Sequence, residues 1–241
     1  MSTISPASRD RTGTASPART LSICLINPRF EPSYWGFEFA LPLYPGDKRS
    51  TMISGSLSSV AGLCGDHHVY VLDENVEEIH WDSLGDYDIV GITGMTVQKD
   101  RIRQILVRLQ DLDVTVVAGG PLASVNEPFF EGLCDAIFVG EAETTWPEFL
   151  DDYSRDKTTK KRYKQVQPTD MTAIPRPRYD QLKVDRYATG ALQYSRGCPF
   201  QCEFCDIIVI FGRKPRVKDP DQFLAEVDDM PRAGIHSLFI V

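Results

Sequence analysis

Five short apolar runs, separated by stretches with helical periodicity, constrain this chain more than any other feature. They are Leu21–Asn27, Val69–Asp73, Ile89–Thr93, Val114–Ala118 and Ala136–Val139, rich in β-branched residues and each closed by Gly, Asn, Asp or Pro. Continuous apolar runs of this length suit strands buried on both faces of a parallel sheet. Between them, Thr96–Leu109 places Val97, Ile102, Ile105, Leu106 and Leu109 on one helical stripe, and Glu143–Tyr153 does the same with Trp146, Phe149 and Leu150. Ser50–Leu63 also reads as a helix. Strand alternating with helix predicts an α/β domain over residues 21–153, a five-stranded parallel sheet of flavodoxin-like order.

The flanks differ. Residues 1–20, rich in Ser, Thr, Pro, Ala and Arg, cannot fill a core and read as a disordered tail. Residues 154–190 begin with a basic polar run and continue through Pro168, Pro175 and Pro177 with little periodicity, which predicts an interdomain linker. A second unit starts at Ala191: a strand over 191–195, a helix opened by Asp219-Pro220 and running to about Met230, a break at Gly234, and a strand over 236–241. Because one βαβ unit cannot bury both faces of its sheet, the sequence reads as the front part of a longer protein. The net charge of −8 argues against a general nucleic-acid binder, and no apolar run reaches the ~20 residues of a membrane helix. The charge is uneven. Residues 1–153 hold 10 basic and 23 acidic side chains, whereas residues 154–241 hold 16 and 11. Without a secretory h-region the expected compartment is cytoplasmic, where clustered cysteines read first as a metal or redox site.

Three of the six cysteines fall within Ser195-Arg196-Gly197-Cys198-Pro199-Phe200-Gln201-Cys202-Glu203-Phe204-Cys205, spaced C-x3-C-x2-C. Three thiolates so close can hold three corners of a cubane iron–sulfur cluster and leave one iron open. Gly197 and Pro199 favour a tight loop. A structural zinc site and a chance grouping are the competing readings, and zinc lacks a nearby fourth ligand other than the distant His236.

With an aromatic before the last cysteine, and behind an α/β domain containing Ala118-Gly119-Gly120-Pro121 and Gly140-Glu141-Ala142-Glu143, this segment resembles the radical S-adenosylmethionine enzymes that carry an N-terminal cobalamin-binding domain. Among them it is most similar to the group of hopanoid and bacteriochlorophyll-type carbon methylases and related iron–sulfur oxidoreductases. The resemblance implies a [4Fe-4S] cluster on Cys198, Cys202 and Cys205, with S-adenosylmethionine on the open iron. It places Phe204 against the adenine and implies a 5′-deoxyadenosyl radical made by reductive cleavage. A small-molecule substrate and an electron donor such as a flavodoxin or ferredoxin follow. It further implies that 191–241 is the first βαβ portion of a partial barrel, incomplete in this chain, which is therefore expected not to turn over alone.

In open α/β sheets ligands bind beyond the carboxyl ends of the strands. Gly119 and Gly120 follow the fourth run, Gly140 and Glu141 the fifth, and Asn27, Thr93 and Gly94 end the first and third. In the resembling family these loops would line a cobalamin nucleotide pocket. The D-x-H-x-x-G motif that supplies a cobalt-binding histidine in many such domains is missing. Asn27-Pro28-Arg29-Phe30-Glu31-Pro32 stands there, and Asp66-His67-His68 reads as a solvated turn, so cobalamin would bind without a protein histidine. Cys24, Cys64 and Cys134 read as inert core thiols. The alternative is a non-catalytic cofactor-binding module with a structural or vestigial metal loop.

Overall fold

The computed structural model describes residues 19–32, 38–156 and 159–241; the expected tail falls, apart from residues 19 and 20, outside them. In chain order the strands are β1 (Ser22–Asn27), β2 (Ser50–Met52), β3 (His68–Asp73), β4 (Ile89–Ile92), β5 (Thr115–Ala118), β6 (Ala136–Val139), β7 (Arg162–Lys164), β8 (Tyr187–Leu192), β9 (Ser195–Arg196), β10 (Arg216–Val217) and β11 (Leu238–Ile240). The α-helices are α1 (Gly55–Gly62), α2 (Trp81–Leu84), α3 (Lys99–Leu109), α4 (Gly120–Val125), α5 (Ala142–Asp156), α6 (Ile207–Ile210) and α7 (Pro220–Arg232).

The first sheet runs β3-β1-β4-β5-β6-β7, every neighbour parallel. Its first five strands follow the flavodoxin-like order, and their bounds match the apolar runs to within a residue or two. Along β1 the pleat sends Ile23 and Leu25 to one face and Cys24 and Ile26 to the other. The second face is sealed by Ile102, Ile105, Leu106 and Leu109 of α3, as the sequence stripe predicts, whereas Val97, counted in the same stripe, precedes α3 and is exposed. The first is sealed by Leu57 of α1 and by Trp146, Phe149 and Leu150 of α5.

The expected five strands are six. The addition, β7, comes from the basic run taken as the start of a linker. Its pattern is exposed, buried, exposed, with Tyr163 as the single inward side chain. Tyr163 stacks on Phe138 at 5.2 Å between centroids and meets Phe149 edge-on at 5.5 Å. Arg162 and Lys164 point outward on the edge, where charge discourages further pairing. Beyond it, Met171, Tyr179 and Leu182 are also buried, so the 154–190 segment is packed against both units.

The second unit has the expected strand–helix–strand path, but its first strand, expected over 191–195, runs Tyr187–Leu192 and so begins inside the stretch read as a linker. Asp219 caps α7 by accepting from the Asp221 amide at 2.9 Å, and β11 lies parallel to β8. An unexpected third strand, β2, flanks β8 on its other side, also parallel, so the segment read as one helix over 50–63 begins as a strand. The Ile53 amide donates to Thr189 O at 3.2 Å and the Thr189 hydroxyl to Thr51 O at 2.7 Å. Tyr187, Leu192, Met230 and Ile235 share one apolar cluster with Leu25 and Trp146, so the two units enclose a common core. β11 is an open edge on which Phe239 is 55% exposed.

Candidate functional site at the junction of the two units

Parallel strands deliver their C-terminal ends to one rim, and the second unit sits over that rim. Between them lies a cleft of about 350 Å³. Thr93, Gly120, Gly140 and Glu141 line it from the first sheet, and Gln193, Arg196 and Lys218 from the second unit. A smaller slot of about 60 Å³ opens over the sheet face among Leu25, Gly91, Val117, Gly119 and Phe138. Ser124 ties the two glycine loops together: its hydroxyl accepts from the Gly140 amide and donates to Gly120 O, both at 3.0 Å. Gly120 has φ +86°, and a Cβ there would lie 2.2 Å from Thr93 Oγ1. The Thr93 side chain thus fills the space in front of the Gly120 Cα, only glycine fits there, and the two residues line the cleft together.

Not every expected rim residue reaches the cleft. Asn27 ends β1 as expected but is buried; its amide donates to Asp73 Oδ1 at 3.1 Å and its Oδ1 accepts from Gln98 at 3.2 Å. Asp73 also accepts from Tyr187 at 2.8 Å, which ties the rim to β8. Burial raises the Asp73 pKa, opposed by its donors Asn75, Tyr187 and Asn27. Gly94 packs against α3, where a Cβ would meet Ile102 Cδ1 at 2.7 Å. No histidine lines the cleft. His67 and His68 stand at the start of β3, the opposite end of the sheet, where His67 Nδ1 accepts from the Leu21 amide at 3.2 Å.

The cysteine loop spans residues 197–215 on an antiparallel stem in which Arg196 of β9 faces Arg216 of β10. Gly197, at φ +93°, brings its backbone against Lys214 O, 2.6 Å from where a Cβ would stand. The Cys198 amide donates to Gly212 O at 3.1 Å. Cys198 and Cys205 are half-buried, Cys202 is exposed, and all three thiols are free. Soft thiols on one loop are the right donors for an iron–sulfur cluster. Among the described residues, however, no three His, Cys, Asp or Glu side chains are grouped to hold a metal. Donor chemistry fits the cluster, and the loop must draw together to hold it. Phe204 is 91% exposed and does not line the cleft. Burial pushes the Cys24 thiol up to about 12, with a smaller push from Glu77, and those of Cys64 and Cys134 to about 11.

A cluster of buried charge between the glycine rim and the cysteine stem was not foreseen. Glu141 accepts from Arg196 at 2.7 Å, from both terminal nitrogens of Arg216 at 3.0 and 2.7 Å, and from Gln165 at 2.9 Å. Arg196 also pairs with Glu143 at 2.6 Å. Burial opposes ionisation of Glu141, but hydrogen bonds from Arg216, Gln165 and Arg196 outweigh it and hold the carboxyl down at about 2. Nearby, Lys218 and Glu226 form a second pair, their side chains 2% and 1% exposed. The sequence signals were present as Gly-Glu-Ala-Glu beside a strand and Ser-Arg-Gly-Cys beside another, but nothing in either stretch says that they meet.

No family model matches the chain. Over 223 residues it is 38% identical to an uncharacterized methyltransferase of Synechocystis sp., covering 90% of this chain and 40% of that protein. Over 216 residues it is 33% identical to the hopanoid C-2 methylase of Rhodopseudomonas palustris, covering 88% of this chain and 41% of the relative. The chain thus spans about two fifths of the length of these curated relatives. Its fold matches, at a TM-score of 0.66 and 15% identity, the radical S-adenosylmethionine methyltransferase TsrM from Kitasatospora setae, solved with cobalamin and a [4Fe-4S] cluster bound; the match covers 92% of this chain and 48% of that one.

Proposed function

We propose, on the premise that this chain belongs to the radical S-adenosylmethionine methyltransferases with an N-terminal cobalamin-binding domain and corresponds to their N-terminal portion, that it builds the cofactor side of a carbon-methylation site. The observation that supports the reading is the larger cleft, lined on one side by Thr93, Gly120 and Gly140 at the rim of the first sheet and on the other by the second unit beside the cysteine loop.

In this reading Cys198, Cys202 and Cys205 hold the cluster, and Phe204 folds inward against the adenine of S-adenosylmethionine. When bound, the cluster supplies the electron that cleaves the sulfonium bond. Thr93, Gly119, Gly120 and Gly140 cradle the flat or phosphate-bearing part of cobalamin, where small residues let backbone approach closely. Asn27 and Gly94 support that rim from behind, since their side chain and Cα face other protein groups. The methyl acceptor is a small molecule, and a flavodoxin- or ferredoxin-like donor supplies electrons. Ile53, Leu57 and Phe211 give this side of the cleft an apolar lining, the kind of surface that keeps water from a reactive intermediate once a site is closed.

The test is cobalamin binding followed by electron paramagnetic resonance of the cob(II)alamin form. Saturable binding without hyperfine coupling to a protein imidazole is expected. Coupling to a histidine nitrogen, or no binding at high micromolar cobalamin, overturns the cobalamin part of the reading. The ungathered thiols favour one other reading, a cofactor-binding module whose cysteine loop is structural or vestigial. Cobalamin binding with no cluster after anaerobic reconstitution would select it.

A further inference from the structure

The buried charges between the units are arranged around one carboxylate. Glu141 sits on the loop after β6, with its side chain 2% exposed. The two guanidinium groups that it accepts from belong to Arg196 and Arg216, directly paired residues on the two strands of the cysteine-loop stem. Both ends of the loop that carries Cys198, Cys202 and Cys205 are therefore fastened to the same two oxygens. Other contacts extend the grip. Arg216 donates to Thr169 O at 2.6 Å and to Phe211 O, inside the loop, at 3.2 Å. Arg196 donates to the Gln193 side chain at 2.9 Å. Gln165 closes the far side, accepting from the Glu141 amide and donating to its carboxylate, both at 2.9 Å.

Without the Glu141 charge, two cations would face each other across a two-residue ribbon, with Glu143 the one other carboxylate paired to either among the described residues. Like charges directly opposite destabilise a strand pair, and a buried ion stripped of its partner is costly. β9 and β10 contribute only two residues each, so their own ladder cannot hold the stem against that repulsion.

We propose that Glu141 is a positioning residue: its carboxylate locks the stem of the cysteine loop to the C-terminal rim of the first sheet and so sets where the three thiols stand relative to the cleft. The role in cluster placement rests on the function proposed above. The mechanical coupling does not.

The experiment uses the full chain and compares wild type with Glu141→Gln, Glu141→Asp and Arg216→Gln. Glu127→Gln serves as a control, because Glu127 makes an exposed pair with Arg162 away from the cleft. Hydrogen exchange is read at the amides of Cys198, Phe211 and Lys218, which donate to Gly212 O, Ile207 O and Tyr194 O. Losing charge-assisted hydrogen bonds should speed exchange there on the order of 10- to 100-fold in Glu141→Gln. Exchange in β4 and β5 should be unchanged, and Glu141→Asp should recover part of the protection. After reconstitution, the cluster of Glu141→Gln should shift in midpoint potential while that of Glu127→Gln does not. A folded Glu141→Gln protein with wild-type exchange in the loop refutes the lock. If that variant does not fold, Arg216→Gln, which keeps the pair between Glu141 and Arg196, carries the same test with the same refuting result. Failure of wild type to take up iron would overturn the cluster reading, and the exchange data would still decide the lock.

Discussion

Replacing Gly120 by Ala tests the cleft wall where the geometry is tightest. The residue has φ +86°, a region where an L side chain costs roughly 1–2 kcal/mol. The new Cβ would also lie 2.2 Å from Thr93 Oγ1 and 3.3 Å from both Thr93 Cβ and Gly94 N. Thr93 is β-branched and stiff at χ1, so the clash is relieved only by an off-rotamer side chain or a shift of the loop, about 1–2 kcal/mol more. The sum is about 2–4 kcal/mol. For a chain of this size that lowers Tm by roughly 4–16 °C. Urea unfolding followed by circular dichroism measures it directly. The two causes separate in a double-mutant cycle. Thr93→Ala removes the clashing oxygen, so Gly120→Ala made in that background should cost only the backbone share, about 1–2 kcal/mol. A cost below about 0.5 kcal/mol in wild type, within the range of an ordinary surface substitution, would refute the loop geometry. An equal cost in both backgrounds would refute the role of Thr93.

In the folded chain at pH 8, a disulfide reagent should label the exposed Cys202 quickly and spare Cys24 and Cys64, whose burial and raised pKa keep them as thiols. Fast labelling of all six cysteines would contradict it. Lys218→Met should destabilise by about 3–5 kcal/mol because Glu226 would be left buried and unpaired, and adding Glu226→Leu should restore much of the loss in urea denaturation. The stability advantage of wild type over Glu141→Gln should be fully present above the ordinary glutamate pKa of 4.5. It should fade as pH falls toward about 2, because a carboxyl whose folded pKa is depressed loses its contribution on protonation. A gap that persists unchanged at pH 2 would contradict it.

The parts of the fold that read directly from sequence are those whose burial writes a long pattern. β1, β3, β4, β5 and β6 are continuous apolar runs, and α3 carries an unbroken stripe. β7 escaped because a three-residue edge strand buries one side chain, Tyr163, among charges. β2 escaped because its pairing partner, β8, lies far along the chain and its own residues, Ser50, Thr51 and Met52, carry no apolar run. The site divides in the same way. Cysteine spacing and post-strand glycines are visible in one dimension. That Asn27 turns to Asp73 and Gln98 rather than to the cleft depends on neighbours brought in by other strands. The meeting of Glu141 with Arg196 and Arg216 is wholly tertiary, and no local residue pattern announces it.

In the function proposed above, the loop from Cys198 to Cys205 takes up an iron–sulfur cluster next to the cleft. Anaerobic reconstitution with iron and sulfide, with iron counted per chain and the dithionite-reduced protein read by electron paramagnetic resonance, tests it most directly. The expected result is about four irons per chain and a reduced-cluster signal, abolished by Cys198→Ala, Cys202→Ala or Cys205→Ala and retained in Cys24→Ala, Cys64→Ala and Cys134→Ala. Stoichiometric tetrahedral zinc in the isolated protein with no cluster after reconstitution, or a cluster that survives loss of any of the three loop cysteines, would contradict it.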